Sequence, residues 1–152
     1  PVFNSSLVGK GKIMQRNYVN LGIAVNTDDG LIVPVIKNAN NLNVGQIAFE
    51  IKALSDKAKN KKLFTKDLNG GTFTISSLGS IGGTGFTPII NPPEVGILGL
   101  SKTKTQLSVV GEKILEKTLL PFSVSYDHRV INGVDAGNFV NFIKETLEKG
   151  IT

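Results

Sequence analysis

The chain contains no cysteine. That excludes a disulfide framework, a thiolate nucleophile and any cysteine-based metal site built from these residues, and it fits a reducing compartment. No apolar run is long enough to span a bilayer, and no secretory-signal pattern opens the sequence. Low-complexity stretches are missing too. With hydrophobic residues at 40% and charged residues at 19%, the composition is that of a folded domain. Aromatic residues make up only 7%, and no helix-turn-helix, zinc-finger or RNA-recognition pattern is present, so the net charge of +5 is poor support for nucleic-acid binding. Histidine is scarcest of all: there is one, His128.

What remains is a chain of 152 residues, single-domain in size and long enough to bury a core. Much of the positive excess lies in Lys57, Lys59, Lys61 and Lys62, at the end of a predicted helix. Lysines there oppose the negative end of the helix dipole; a phosphate-bearing ligand or an acidic partner is the alternative. That helix begins at Asn43, an N-cap with Gln46 three residues on as in a capping box, and carries Ile47, Ile51, Leu54 and Ala58 on one stripe. Before it, residues 18–25 and 31–36 read as strands joined by a hairpin loop, Asn26 to Gly30. Pro34 has no N–H, which puts the second strand at an edge or gives it a bulge.

Asn69-Gly70-Gly71 breaks the chain before a short strand, Thr72 to Ser76. Next comes a segment with four glycines, Ser76 to Pro88, whose backbone can approach a ligand or a neighbouring chain closely. It has neither the Gly-Lys-Ser/Thr ending of a P-loop nor the dinucleotide fingerprint. Val95 to Leu100 reads as a buried strand. Residues 106–110 and 113–118 suggest a hairpin about Gly111-Glu112, feeding a central strand at Leu120 to Tyr126, where Leu120, Phe122, Val124 and Tyr126 alternate with Pro121, Ser123 and Ser125. Asp127-His128-Arg129 follows at the strand end. Asn132-Gly133 reads as a turn, and a helix through Ala136, Phe139, Val140, Phe142, Ile143 and Leu147 closes at Lys149-Gly150. The sum is an α/β domain, a mixed β-sheet covered by helices.

An imidazole at the end of a strand is held by rigid backbone yet can face a cleft, and its ordinary pKa suits a general base near neutrality. Position alone leaves a structural role for His128 open. Its surroundings are more specific. Asp127-His128-Arg129-Val130-Ile131-Asn132-Gly133 resembles the Asp-His-Arg-x-x-Asp-Gly motif of the dihydrolipoamide acyltransferases, the core-forming enzymes of the 2-oxoacid dehydrogenase complexes. Residues 18–34, 73–79 and 88–99 are similar to other blocks of that family in the same order, with 73–79 and 91–99 most similar to its pyruvate branch. Asn132 replaces the commoner Asp, a change known in that branch; it can hydrogen-bond but cannot form an ion pair.

The resemblance implies a chloramphenicol acetyltransferase-like fold and acetyl transfer between dihydrolipoamide and coenzyme A. Residues 1–152 would form the catalytic domain, incomplete at its N-terminus, without the lipoyl and peripheral-subunit-binding domains. His128 would be the general base and Ser76 the oxyanion donor, with Ser77 as its near neighbour on the opposite strand face; Asn132 would position or stabilise charge. Asn26 stands where the family usually has Asp, near the thiol substrate. The lipoyl group would arrive on another domain, and no metal is implied. The implied partners are two further copies in a trimer that builds a cubic or dodecahedral core, with His128 and Ser76 from different chains. Pyruvate dehydrogenase and dihydrolipoamide dehydrogenase components would bind through the absent domains. The compartment would be the bacterial cytoplasm, or the mitochondrial matrix in a eukaryote. A related acyltransferase acting on another 2-oxoacid-derived acyl group, a chloramphenicol-type acetyltransferase and an inactive structural core fragment are the competing readings.

Overall fold

The computed structural model describes residues 1–9 and 11–150. Ser5–Val8 (β1) and Lys12–Gln15 (β2) pair as a hairpin for which the sequence gives no sign, since β2 is exposed along its whole length and carries no half-buried period. Leu21–Ile23 (β3) enters the main sheet. The expected strand 18–25 does not continue there: Val25–Thr27 (β4) peels away to pair with Gly30–Ile32 (β5) as a separate ribbon. Val35–Ile36 (β6) returns to pair antiparallel with β3. It forms an outer edge of the sheet, as the missing N–H of Pro34 requires, while the Pro34 carbonyl still accepts from the Ile23 N–H at 2.9 Å.

The first long helix is Val44–Lys59 (α1), and both capping-box bonds between Asn43 and Gln46 are made at 2.9 Å. Its stripe buries Leu54 with Ile36 and Ala39, against Ile47, Leu21 and Ile23. Lys57 and Lys59 lie in its last turn; Lys61, just beyond, pairs with exposed Asp29 at 2.6 Å. A single turn, Thr65–Leu68 (α2), precedes Phe73–Ser77 (β7). Gly96–Leu100 (β8) follows, then the expected hairpin of Lys104–Val110 (β9) and Lys113–Leu119 (β10), then Phe122–Tyr126 (β11) and the helix Gly133–Lys149 (α3).

The main sheet has the order β11-β8-β7-β3-β6. β7 is parallel to both β3 and β8, and the two edge strands are antiparallel to their neighbours. β11 is therefore an edge strand rather than the central one. Its hydrophobic alternation marks a half-buried strand, but only register decides where in the sheet it lies.

One face of this sheet is the core. Phe73, Val124 and Tyr126 pack with buried Phe3, Val95, Ile131 and Ala136, and with Phe139 of α3. Phe3 stacks on Phe139 at 4.1 Å, and Phe73 meets both rings edge-on at 6.1 and 5.7 Å. Gly96 leaves the room for this cluster, since a Cβ there would lie 2.7 Å from the Phe3 ring. Each large side chain removed from water contributes about 1.5–3 kcal/mol.

The other face is made of small and hydroxyl side chains. Cα partners share a face, so Gly22, Thr74, Ile97 and Ser125 form one row, and Ser76, Gly99 and Ser123 the next. Across it lies the connection between parallel strands β7 and β8, which holds no regular element. Phe86 of that connection docks where Gly99 has no side chain; a Cβ there would come within 2.8 Å of its ring. Ser123 donates its hydroxyl proton to the Phe86 carbonyl. Close approach is thus needed at Gly22, Gly96 and Gly99. In the glycine-rich segment itself, Gly82 (φ +123°) and Gly83 (φ +88°) have open space around them and are set by backbone conformation instead.

Candidate active site

His128 stands on a turn whose two ends are pinned. The Asp127 N–H donates to the Val95 carbonyl at 2.9 Å, which ties the turn to β8. The Asp127 carbonyl accepts from the N–H groups of both Val130 and Ile131, at 3.0 and 2.9 Å. Its carboxylate accepts from the Arg129 N–H at 3.0 Å and takes the Arg129 guanidinium in a two-pronged pair, with contacts of 2.9 and 2.6 Å. Those bonds hold the Asp127 carboxyl below its ordinary range, Arg129 being the main cause, and raise the guanidinium in turn. The imidazole is exposed, with the Tyr126 ring 5.6 Å away at a tilt of 41°.

Asn132 is not in a positive-φ turn. With φ −90° and ψ 170° it is the N-cap of α3, and its side-chain oxygen accepts from the Asp135 N–H at 2.9 Å. Gly133 is the first helical residue. The polar run Asp127 to Gly133 hides this, because a tight turn and a helix cap use the same residue types. With the oxygen occupied by the cap, the Asn132 amide can still donate its NH2 protons.

Ser76 is half-buried near the end of β7 on the hydroxyl face, paired with Gly99. Ser77 is exposed, and its oxygen accepts from the Gly79 N–H at 3.3 Å. Asn26 lies in β4 opposite Leu31, exposed, in the strand rather than in the loop.

Register keeps Ser76 and His128 apart. Ser76, Gly99 and Ser123 are aligned, and β11 runs from Ser123 away to Tyr126 before the His128 turn begins. Three residues of strand cover roughly 10 Å, and the two strand spacings from β7 to β11 add roughly 10 Å at right angles. Within one chain the two groups are therefore roughly 15 Å or more apart, several times the reach of a hydrogen bond.

A cleft of about 730 Å³ opens beside the turn, lined by Leu7 of β1, Pro92, Pro93, Glu94, Asp127 and Arg129 among others. Glu94, only 6% exposed, was not expected from the sequence. It accepts a hydrogen bond from the buried Thr74 hydroxyl at 2.7 Å, and burial pushes its carboxyl up to about 7 against that bond. Its setting in Asn91-Pro92-Pro93-Glu94 reads as loop punctuation, and no local pattern announces a buried acid. Among the described residues no group of three His, Cys, Asp or Glu side chains could hold a metal ion, and no helix is long and apolar enough to cross a membrane.

The model of the 2-oxoacid dehydrogenases acyltransferase catalytic domain matches residues 1–152. The chain belongs to that family. Its relatives include the dihydrolipoyllysine-residue acetyltransferase component of the pyruvate dehydrogenase complex of Pseudomonas aeruginosa, 51% identical over 97% of this chain and 27% of the relative. The corresponding Buchnera aphidicola component is 48% identical over 97% of this chain and 37% of the relative. This acyltransferase chain thus spans about a quarter to just over a third of the length of those curated relatives. Among solved structures, the dihydrolipoamide acetyltransferase of Azotobacter vinelandii superposes with a TM-score of 0.91 at 48% identity, covering 95% of this chain and 60% of the other. That enzyme was investigated for the role of a serine, a histidine and an asparagine in its catalytic mechanism. The cubic core of the pyruvate dehydrogenase multienzyme complex superposes at 0.88 with 50% identity, covering 93% and 58%. A chloramphenicol acetyltransferase, at 14% identity and 0.59, shares the fold alone.

Proposed function

We propose that this acyltransferase chain moves an acetyl group between dihydrolipoamide and coenzyme A, with His128 as general base and Ser76 as oxyanion donor. One observation carries the reading. The serine, histidine and asparagine studied in the Azotobacter enzyme are separated by 52 and 4 residues, the intervals between Ser76, His128 and Asn132 here.

A thiol is mostly protonated at neutral pH; with an ordinary pKa of roughly 8.5, only a few per cent is thiolate. A neutral His128 takes the proton from coenzyme A sulfur as that sulfur attacks the carbonyl carbon of acetyl-dihydrolipoamide. The new C–S bond leaves an oxyanion, which accepts the Ser76 hydroxyl proton as a hydrogen bond. Collapse breaks the bond to the lipoyl sulfur, and the imidazolium returns its proton to that leaving thiolate. Base catalysis supplies roughly 10²–10⁴-fold and the oxyanion donor roughly 10²–10³-fold. Asn132 faces the same turn and would donate its free amide protons, and Asn26 would lie along the thiol path.

Since Ser76 and His128 lie too far apart within one chain, the reading requires that each site join His128 of one copy to Ser76 of another. A trimer satisfies this, and the cubic assembly of a structural relative favours one that builds a larger core. Pyruvate dehydrogenase and dihydrolipoamide dehydrogenase components would be partners of the whole complex. The bacterial origin of the relatives supports a cytoplasmic location.

Mixing separately inactive His128→Ala and Ser76→Ala chains under reassembling conditions tests the arrangement. Acetyl-coenzyme A with dihydrolipoamide should regain a sizeable fraction of parent turnover in the mixture, because some interfaces then hold both groups. No recovery from co-assembled chains would reject the shared site.

A further inference from the structure

The pair between Asp127 and Arg129 is unexplained by stability. Arg129 is 73% exposed, and exposed ion pairs contribute little to folding. Yet both Asp127 oxygens are taken up by one guanidinium, with the carboxylate folded over the turn onto the Arg129 N–H. The side chain between them in sequence is His128.

We propose that Arg129 is a positioning residue for His128: by holding both oxygens of Asp127 it locks the turn and denies the imidazole a carboxylate partner. A free carboxylate one residue away would attract a proton onto the ring and hold it there as imidazolium, a form with no lone pair to accept a thiol proton. The guanidinium neutralises that carboxylate. The fork geometry suits arginine, whose planar donors match two carboxylate oxygens, better than lysine. The other ionisable groups on the elements around the turn are Tyr126 at the end of β11, Asp135 in the first turn of α3, and Glu94 across the cleft that Asp127 and Arg129 line. Of these, Glu94 is held by Thr74. Asp127 is the carboxylate adjacent to the ring in sequence, and Arg129 engages it.

This inference rests on reading His128 as the base, but its test reads the ring directly. The chain has one histidine, so carbethoxylation by diethyl pyrocarbonate, followed by absorbance against pH, reports one imidazole. In Arg129→Gln the freed carboxylate should move the midpoint of that titration up by roughly half a pH unit or more. In the double variant Asp127→Asn/Arg129→Gln the midpoint should return to the parent position, because Asn keeps the turn acceptor and removes the charge. The acidic limb of kcat/KM for acetyl transfer should follow the same two shifts. A merely structural pair predicts loss at every pH, no midpoint shift and no relief in the double variant. An unmoved midpoint in Arg129→Gln, or a shift that persists in the double variant, overturns the proposal. A parent chain that titrates as described but transfers no acetyl group would sink the proposed function and leave this one standing.

Discussion

On one face of the main sheet, Leu21, Ile23, Phe73, Val124 and Tyr126 pack under two helices; on the other, Gly22, Thr74, Ser76, Gly99 and Ser123 lie beneath an irregular crossover. Both faces belong to the same strands, so local propensity cannot account for the difference. The helical face carries stability through area removed from water. The hydroxyl face uses small side chains to admit backbone and an aromatic ring, and it holds a buried carboxyl group pushed up to about 7, Glu94. The division predicts that truncating the helical face acts on folding, whereas the half-buried Ser76 of the hydroxyl face can be changed with little effect on folding.

Substitutions can test that division. The largest effect expected is on catalysis at the strand end. His128→Ala should lower acetyl transfer by roughly 10²–10⁴-fold or more, with thermal midpoint unchanged because the ring is exposed. Ser76→Ala should lower turnover by roughly 10²–10³-fold with little change in KM, whereas Ser77→Ala should stay near parent. Equal losses at the two serines would erase the distinction between their faces. On the helical side, Phe3→Ala should cost about 3–5 kcal/mol in denaturant unfolding, since it empties the centre of the aromatic cluster. A cost below about 1 kcal/mol there would mean that the core lies elsewhere.

Glu94→Gln sharpens the contrast from within the hydroxyl face. With its folded pKa of about 7 above the ordinary 4.5, the native state binds the proton more tightly than the unfolded chain. Glu94 therefore costs nothing extra below about pH 4.5, and its penalty grows as pH rises from there to about 7 and then levels off. The Gln variant should match parent stability near pH 4.5 and exceed it by about 2–3 kcal/mol at pH 8, as measured by unfolding across that range. The smallest of the stability effects belongs to Asn132→Ala, which removes the α3 cap and should cost about 1 kcal/mol.

Several elements were legible because their causes are local. The capping box at Asn43 and Gln46, the stripe ending at Leu54 and Ala58, the hairpin at Gly111 and the terminal Gly150 follow from spacing and residue type within one element. Where neighbours decide, the reading went astray. The strand at 18–25 divides because Ala24 donates to Ile75 and Val25 turns to Ile32. β2 escaped notice because both of its faces meet solvent. Asn132 was read as a turn because cap and turn share a chemistry, and only φ and the Asp135 bond distinguish them.

By itself the sequence pointed to the residues proposed to carry chemistry: a single imidazole flanked by acid and guanidinium, and a strand-end serine in a family-like block. It determined the mixed α/β architecture as well, since hydrophobic period and turn residues act over a few positions. Tertiary structure alone decided that β11 is an edge strand, that Glu94 is buried against Thr74, and that Ser76 and His128 are held far apart. Those facts depend on register and on pairing between strands distant in sequence, which no window of neighbouring residues contains.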